Sequence, residues 1–378
     1  MPQERIPLSS PSISQKDIDA VVSVLQTRHL SLGPALPKFE QDIASYVHAQ
    51  HAVAVNSGTS ALHLCIRALD IHDGDEVITT PFSFVASANC LLFERAKPVF
   101  VDIEPKTYCI DVSQVEAAIT PKTKAILAVD VFGYLCDWDA LRAIAKKHNL
   151  VLIEDSCEAL GSTRNGVHAG MFGDCGMFAF YPNKQMTTGE GGIIVTNEDR
   201  IASLTRSMRN QGRGEGDAWL LHERLGYNYR LSDINCALGS SQLTQLEGFI
   251  TKRAQVVAWY REELAPLAEH ITAPEEQPGV RVSWFVCVAR LAVHFSVAQR
   301  DKLIMFLKNE GIGCSNYFPS IHLQPLYVQE FGFKKGDFPV TEAVSAHTIA
   351  LPFHSALSRD DVRTVCATLA KGFSSISR

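Results

Sequence analysis

Between residues 51 and 196, short runs rich in valine, isoleucine and phenylalanine alternate with segments of helical periodicity. In residues 59–69 apolar side chains recur at i, i+3, i+4 and i+7, and residues 137–148 repeat this pattern. Apolar strands separated by amphipathic helices are typical of a mostly parallel sheet that helices cover on both faces. An α/β fold is therefore predicted, with strands HAVAV (51–55), EVITT (76–80), PVFVDI (98–103), AILAVDVF (125–132), VLIED (151–155), MFAFY (177–181) and IIVT (193–196).

The pattern changes after about residue 240, and a chain of 378 residues is long enough for a second domain. We predict a large domain at residues 1–245, including the N-terminal segment, and a smaller C-terminal α/β domain at residues 246–378. The second region contains a long amphipathic stretch (241–264), a break at APEEQPG (273–279), a predicted strand RVSWFVCVARL (281–291) and predicted helices at 298–310 and 360–373.

Charge and composition narrow the possible ligands and the location. The net charge is -6 and no basic run occurs, which disfavours a nucleic acid or an anionic membrane as partner. The sequence has neither the roughly 20-residue apolar stretch of a membrane helix nor the apolar core of a secretory signal, so we expect a cytoplasmic protein. The ten cysteines form no CxxC pair, and HExxH is absent; reduced cysteines and no metal site are predicted.

Small ligands of open parallel sheets bind beyond the carboxyl ends of the strands. One such end is NSGTSAL (56–62), where a strand passes through Gly58 into a helix that opens with Thr59 and Ser60. Backbone N–H groups at a helix N-terminus bind phosphate well. Taken alone, the same residues also fit an ordinary helix cap.

Two further strand ends carry charged residues. Glu154 and Asp155 close VLIED, where strand alternation sends one carboxylate to each face of the sheet. Lys184 follows an apolar strand and precedes a glycine cluster in FAFYPNKQMTTGEGG (178–192). A lysine among apolar walls can become a neutral nucleophile that forms a Schiff base. A phosphate cradle, a carboxylate and a lysine are together the set that pyridoxal 5'-phosphate requires.

Six blocks of sequence resemble the DegT/StrS-type sugar aminotransferases, which are fold type I pyridoxal phosphate enzymes. They cover nearly the whole chain: NSGTSALHL, GDEVITTPFSFVASAN, KPVFVDIEPKTY, VLIEDSCEALG, NKQMTTGEGG and GYNYRLSDINCALG. The resemblance implies that Lys184 forms the Schiff base, that Asp155 pairs with the pyridine nitrogen, and that the phosphate binds at Gly58, Thr59 and Ser60. It also implies that Phe84 stacks on the cofactor ring, and that Glu158 lies beside the ring hydroxyl.

The resemblance extends to the neighbouring subunit and to the substrate. It implies a homodimer in which Asn228, in GYNYR, reaches the phosphate bound by the partner. In NYFPSIHLQPLY (316–327) it makes Tyr317 and His322 candidates for substrate binding, although His322 fits a packed structural histidine equally well. NQGRGEG (210–216) is interpreted as a flexible active-site loop.

Two positions depart from the family pattern. Ala179 stands five residues before the lysine, where the family usually has a phosphate-binding serine, and Tyr181 is a candidate replacement. Glu158 stands where glutamine or histidine is common, and its carboxyl is expected to be protonated or turned aside. The motif EDxxEA (154–159), which contains this glutamate, resembles the corresponding segment of perosamine-synthase-like members of the family.

The resemblance implies a transaminase that moves an amino group from an amino acid, typically glutamate, to a keto-deoxysugar on a nucleotide, as in polysaccharide biosynthesis. One alternative is a sugar dehydratase that uses the pyridoxamine form, but related dehydratases have histidine at the position of Lys184. Another is a non-catalytic regulator that retains the fold. A nicotinamide oxidoreductase is disfavoured because GxGxxG is absent.

Overall fold

A computed structural model describes residues 5–214 and 221–376. Its first half is built around a single sheet of seven strands, and a short hairpin lies beside that sheet. The strands of both are β1 (His51–Val55), β2 (Glu76–Thr79), β3 (Lys97–Phe100), β4 (Thr123–Val129), β5 (Val151–Asp155), β6 (Thr163–Arg164), β7 (Val167–His168), β8 (Cys175–Ala179) and β9 (Gly192–Thr196).

The strand order in the large sheet is β1-β9-β8-β5-β4-β2-β3. β9 is antiparallel to both of its neighbours, whereas the other pairings are parallel. The other six strands therefore run in one direction, and their carboxyl ends lie at the same edge. Among the described residues this confirms the prediction of a mostly parallel sheet.

Helices connect the strands and pack against the sheet and each other. The helix predicted at 137–148 begins after Asp137, whose carboxylate accepts a hydrogen bond from the Ala140 N–H at 3.3 Å. The helices of this half are α1 (Gln15–Leu25), α2 (Ala35–Val47), α3 (Gly58–Ala68), α4 (Ala86–Leu92), α5 (Val112–Val115), α6 (Trp138–His148), α7 (Asp199–Arg209) and α8 (Asp233–Leu243).

The second half forms a small antiparallel sheet in the order β10-β12-β13 with helices packed around it. Its strands are β10 (Ile271–Thr272), β11 (Val280–Arg281), β12 (Cys287–Leu291) and β13 (Thr348–Leu351). β11 pairs instead with β6 of the first half. The helices are α9 (Leu246–Leu264), α10 (Val297–Asn309), α11 (Pro325–Phe331), α12 (Pro339–His347) and α13 (Arg359–Ile376).

The structure corrects two predicted elements. The strand predicted at 281–291 is continuous only in β12, because the buried residues before it bond to side chains: the Ser283 N–H donates to Ser162 Oγ, and the Ser283 carbonyl accepts from Gln185. The amphipathic stretch at 241–264 is two helices, α8 and α9, which are separated at Thr244 and Gln245. Periodicity alone could not show either interruption, since it carries no information about bonds to distant side chains or about the end of a helix inside a run of helical residues.

The division into domains at residue 245 stays a prediction, and residues 1–4, 215–220, 377 and 378 of its ranges lie outside the described part. The N-terminal segment contacts the second half, since the Arg5 and Ile6 N–H groups donate to the Gly311 carbonyl, and the Phe353 N–H donates to Leu8. None of the helices in the described ranges is long and apolar enough to cross a membrane.

Candidate active site

The carboxyl ends of the parallel strands open into a cavity of about 560 Å³. Residues from the ends of β1, β4, β5 and β8 line it, together with residues 316–319 from the second half. Most of the predicted site residues meet in its wall, namely Gly58, Thr59, Phe84, Asp155, Glu158, Lys184 and Tyr317.

The N-terminus of α3 forms one end of the cavity. Ser57 is the N-cap, and its side chain accepts a hydrogen bond from the Ser60 N–H at 3.1 Å. Ser60 does not line the cavity. Its hydroxyl donates to Asn56 Oδ1 at 2.6 Å, and this hydrogen bond stabilises the turn on the side away from the cavity. Gly58 and Thr59 are therefore the first residues of α3 that face the cavity. The N–H groups of a first helical turn have no carbonyl partner within the helix, so they favour an anion.

Close packing at this turn requires glycine. A Cβ on Gly58 would lie 2.8 Å from the Cβ of Ala179 and 3.1 Å from the Sγ of Cys157. A Cβ on Gly192, which pairs with both Val55 and Ala179, would lie 2.5 Å from the Ser57 carbonyl carbon. Backbone without side chains therefore forms this turn, which is the kind of surface that favours an anion such as a phosphate group.

Asp155 is buried at the end of β5 and faces the cavity. Its Oδ2 accepts a hydrogen bond from Ser87 Oγ at 2.7 Å, and its Oδ1 accepts one from the Cys157 N–H at 3.2 Å. Glu154 does not line the cavity, and its carboxylate accepts from the N–H groups of Gly170, Phe172 and Gly173. Alternation thus separates the two carboxylates, and sequence reasoning missed the contact with Ser87.

Lys184 lies in the turn after β8, and its side chain is 13% exposed. Its Nζ lies 4.0 Å from the centre of the Phe285 ring and 3.7 Å from Glu158 Oε1. Phe285 comes from the segment before β12, and nothing in the sequence near Lys184 points to it. The lysine therefore has the apolar wall that its predicted chemistry needs.

Glu158 is buried between Lys184 and the turn after β4. Its Oε2 accepts a hydrogen bond from the Phe132 N–H at 2.9 Å. Burial raises the pKa of Glu158, and the Lys184 charge and the Phe132 amide oppose this shift only in part. A raised pKa favours the protonated carboxyl, which agrees with the expectation for a carboxyl beside a ring oxygen.

Aromatic side chains surround the opening of the cavity. Phe84 is 60% exposed and Tyr181 is 52% exposed, although both line the cavity. Tyr317 stacks on Phe318 with ring centres 5.0 Å apart. These rings leave a large apolar surface open at the place where a substrate would enter.

Asn228 does not line this cavity; it lies on the surface of the chain. Its carbonyl accepts a hydrogen bond from Asn56 Nδ2 at 3.5 Å. The neighbouring rings of Tyr227 and Tyr229 stack at 4.9 Å. The main chain of Asn228 thus lies near the phosphate turn, while the residue stays outside the cavity. Residues 215 and 216 of the predicted active-site loop lie outside the described residues.

His322, for which substrate binding and structural packing are both predicted as alternatives, lies away from the cavity. The side chain is fully buried, does not line the cavity, and lies 3.1 Å from Glu342 Oε1 through Nε2. The Phe338 ring packs edge-on to it at 4.7 Å. Burial lowers the pKa of His322, and Glu342 opposes this shift. These contacts favour the interpretation of His322 as a packed structural histidine.

We expect His322→Ala to lower the free energy of unfolding by about 2–3 kcal/mol, because it creates a cavity and removes a partner of Glu342. Activity per folded molecule should change less than twofold. Denaturant unfolding and kcat/KM measure the two effects separately. A large fall in kcat/KM with unchanged stability would restore the substrate-binding interpretation.

Comparisons with known proteins agree with this geometry. The model of the DegT/DnrJ/EryC1/StrS aminotransferase family matches residues 11–370. The chain is 37% identical over 367 residues to the GDP-perosamine synthase of Caulobacter vibrioides, with 97% of each chain covered. Helicobacter pylori PseC, an aminotransferase involved in the biosynthesis of pseudoaminic acid, superposes with a TM-score of 0.93 at 29% identity, over 98% of this chain and 99% of that chain.

The PMP form of Spr1654 from Streptococcus pneumoniae also superposes with a TM-score of 0.93 at 28% identity, over 98% of this chain and all of that chain (100%). The fold and the cavity thus define a fold type I aminotransferase that depends on pyridoxal phosphate. The family match spans nearly the whole chain. The chain belongs to the DegT/DnrJ/EryC1/StrS aminotransferase family.

Proposed function

We propose that the enzyme transfers an amino group from an amino acid, glutamate in this proposal, to a keto-deoxysugar carried on a nucleotide. The product would be an aminosugar for a polysaccharide or glycoconjugate. One observation carries the proposal: the N-terminus of α3, Asp155 and Lys184 line a single cavity. The similarity to a GDP-perosamine synthase and to PseC supports the choice of a sugar substrate.

The residues of the cavity divide the work of holding the cofactor. Gly58 and Thr59 would bind the phosphate through the N-terminus of α3, and Ser60 would hold the turn. Phe84 would pack on the ring. Bound pyridoxal phosphate supplies an aldehyde that exchanges with amino groups and a ring that accepts electrons from the α-carbon of the amino acid.

The charged residues would handle protons. Lys184 Nζ would take a proton from the α-carbon of the donor as a general base; in the second half-reaction, which runs in the reverse direction, it would deliver a proton to the sugar carbon that gains the amino group. The Asp155 carboxylate would keep a proton on the ring nitrogen, since Ser87 and the Cys157 amide hold it toward the cavity. The raised pKa of Glu158 favours a protonated carboxyl, which would face the ring oxygen without repelling it.

The open, aromatic end of the cavity supports a bulky second substrate. Tyr317 and the exposed face of Phe84 would contact the sugar or its nucleotide. Lys184 disfavours the dehydratase alternative, and the presence of Lys184, Asp155 and the glycine turn in one cavity disfavours a non-catalytic regulator. Buried free thiols such as Cys65 and Cys136 support the expected cytoplasmic location.

A panel of substrates tests the proposal. The purified protein would be incubated with glutamate, pyridoxal phosphate and nucleotide-linked 3-keto or 4-keto sugars, and aminosugar products would be detected by mass spectrometry. We expect one ketosugar to gain an amino group while glutamate becomes 2-oxoglutarate. Amination of simple keto acids but of no sugar would contradict the proposed substrate.

The proposal includes a homodimer with shared sites, in which Asn228 of one subunit contacts the phosphate bound by the other. The exposed position of Asn228 outside its own cavity supports this arrangement. Asn228→Asp keeps the size of the side chain but brings a negative charge to the phosphate. Co-expression of Lys184→Ala chains with Asn228→Asp chains should restore about a quarter of the sites, because each mixed dimer has one intact site.

A matched pairing serves as the control. Lys184→Ala chains mixed with Asp155→Asn chains should restore no activity, since both defects lie in the same chain's cavity and every site carries one of them. Activity of isolated mixed dimers would be compared with that of each stable parent. Equal failure of both pairings would exclude the shared-site arrangement.

A further inference from the structure

Arg253 on α9 is a buried cation without a buried anion beside it. It is 4% exposed, and in residues 5–214 and 221–376 no ion pair with a carboxylate is found for it. Burial lowers the pKa of Arg253 to about 10. The neighbouring His354 is also buried, and its pKa is lowered first by burial and then by the charge of Arg253. A lowered pKa favours the neutral imidazole, and neither form of this side chain is an anion, so His354 does not balance the charge of Arg253.

The guanidinium instead donates hydrogen bonds to backbone carbonyls. One terminal nitrogen donates to the Phe285 carbonyl at 3.0 Å and reaches the Trp284 carbonyl at 3.5 Å. The other donates to the Lys184 carbonyl at 3.0 Å. The guanidinium carbon lies 5.3 Å from the centre of the Phe353 ring, which holds the group from one side.

The two shorter of these bonds, at 3.0 Å each, join segments that meet again inside the cavity. The Lys184 Nζ lies over the Phe285 ring, and Arg253 bridges the main chains of the same two residues. Gln185 adds a parallel link, since its Nε2 donates to the carbonyls of Glu158 and Ser283. The backbone beneath Lys184 is thus fixed to the segment that supplies its apolar wall.

A buried charge of this kind is costly. Desolvation penalises a buried ion, and apolar residues of similar volume often replace buried ionic groups without loss of stability. A planar fork of donors, however, can bind two carbonyls at a fixed spacing, which neither an apolar side chain nor a lysine can do. The two hydrogen bonds therefore indicate that Arg253 fixes the spacing of the two main chains and does not merely fill space in the core.

We infer that Arg253 is a positioning residue for transamination, which acts through Lys184 and Phe285 and not on the substrate. It holds the two main chains together so that Lys184 Nζ stays against the ring of Phe285 and faces the cavity. This inference rests on the proposed role of Lys184.

Arg253→Lys keeps the positive charge and most of the stem but loses the fork. We expect kcat to fall about 10- to 100-fold, because a displacement near 1 Å of a reacting group costs up to about 10²-fold in rate. KM for the amino donor should stay within about threefold. The visible circular dichroism of the bound cofactor should change, since it reports the orientation of the cofactor on its lysine and not the stability of the fold.

Arg261 provides a matched control on the same helix. Its guanidinium lies over Trp284 and donates to the Pro274 carbonyl at 3.0 Å and to Glu276 at 2.7 Å, away from Lys184. Arg261→Lys removes the same fork and should leave kcat and the visible circular dichroism unchanged. Arg253→Gln, which offers one amide donor group, should resemble Arg253→Lys.

The wild-type enzyme is first reduced with borohydride, and its peptides are analysed by mass spectrometry. Cofactor on no lysine, or on another lysine, would remove the proposed role of Lys184. With Lys184 labelled in the wild type, normal kcat and normal circular dichroism in Arg253→Lys would overturn the role of Arg253. Failure of both Arg253 variants to fold, beside a stable Arg261→Lys, would make Arg253 a stability residue and would also overturn the inference.

Discussion

Lys184→Ala protein is expected to lose transamination by at least about 10⁴-fold, because one substitution removes both the nucleophile and the general base. Its free energy of unfolding should change little, since the lysine makes no short ion pair: Glu158 Oε1 lies 3.7 Å from Nζ. Borohydride reduction should leave the cofactor on the Lys184 peptide in the wild type and on no peptide in the variant. The absorbance near roughly 410–430 nm of lysine-bound cofactor should vanish with it.

Two control variants separate chemistry from charge. Lys184→Arg keeps a cation over Phe285 but cannot attach the cofactor, so it should be as inactive as Lys184→Ala. Lys147→Ala removes an exposed lysine that pairs with Glu116, and it should leave activity unchanged. An active Lys184→Ala enzyme that still carries covalently reducible cofactor would show that another lysine does the work.

The positions of Lys184, Asp155 and Gly58 at strand ends could be predicted from the sequence. Parallel strands bring their carboxyl ends to one edge, so a local pattern near each strand is enough to place its last residues. The sheet itself could be predicted because each strand and each helix shows its own local pattern of apolar residues. Where a strand prediction extended too far, as at 281–291, the backbone bonded to side chains of distant segments, and periodicity carries no information about such bonds.

The residues that hold Asp155 and Lys184 in place could not be predicted from the sequence. Ser87, Phe285 and Arg253 reach Asp155 or Lys184 from distant parts of the chain, and each belongs to a segment that also fits ordinary packing. His322 illustrates the converse, since a histidine in a substrate-side segment is indistinguishable from a packed one until its burial and its partner Glu342 are known. The role of Asn228 depends on a second subunit and stays a prediction.

Asp155→Asn should lower the rate of transamination by about 10³-fold, which equals about 4 kcal/mol of transition-state stabilisation. The amide has the size of the carboxylate and can still accept from the Cys157 N–H, so the turn after β5 should keep its shape. It carries no negative charge, however, and cannot keep a proton on the ring nitrogen. The chemical step should therefore slow, while attachment of the cofactor to Lys184 should persist.

Single-turnover measurements with glutamate and borohydride labelling of Lys184 test the two halves of this prediction in the same sample. Glu154→Gln is the control, because that carboxylate faces away from the cavity and accepts from the N–H groups of Gly170, Phe172 and Gly173. It should lower stability while leaving the rate per folded molecule within a few-fold. The two acids are adjacent and differ mainly in the face of the sheet that they occupy. A near-normal rate in Asp155→Asn would remove Asp155 from the mechanism. An equal loss of rate in both variants would assign the effect to the end of β5 as a whole.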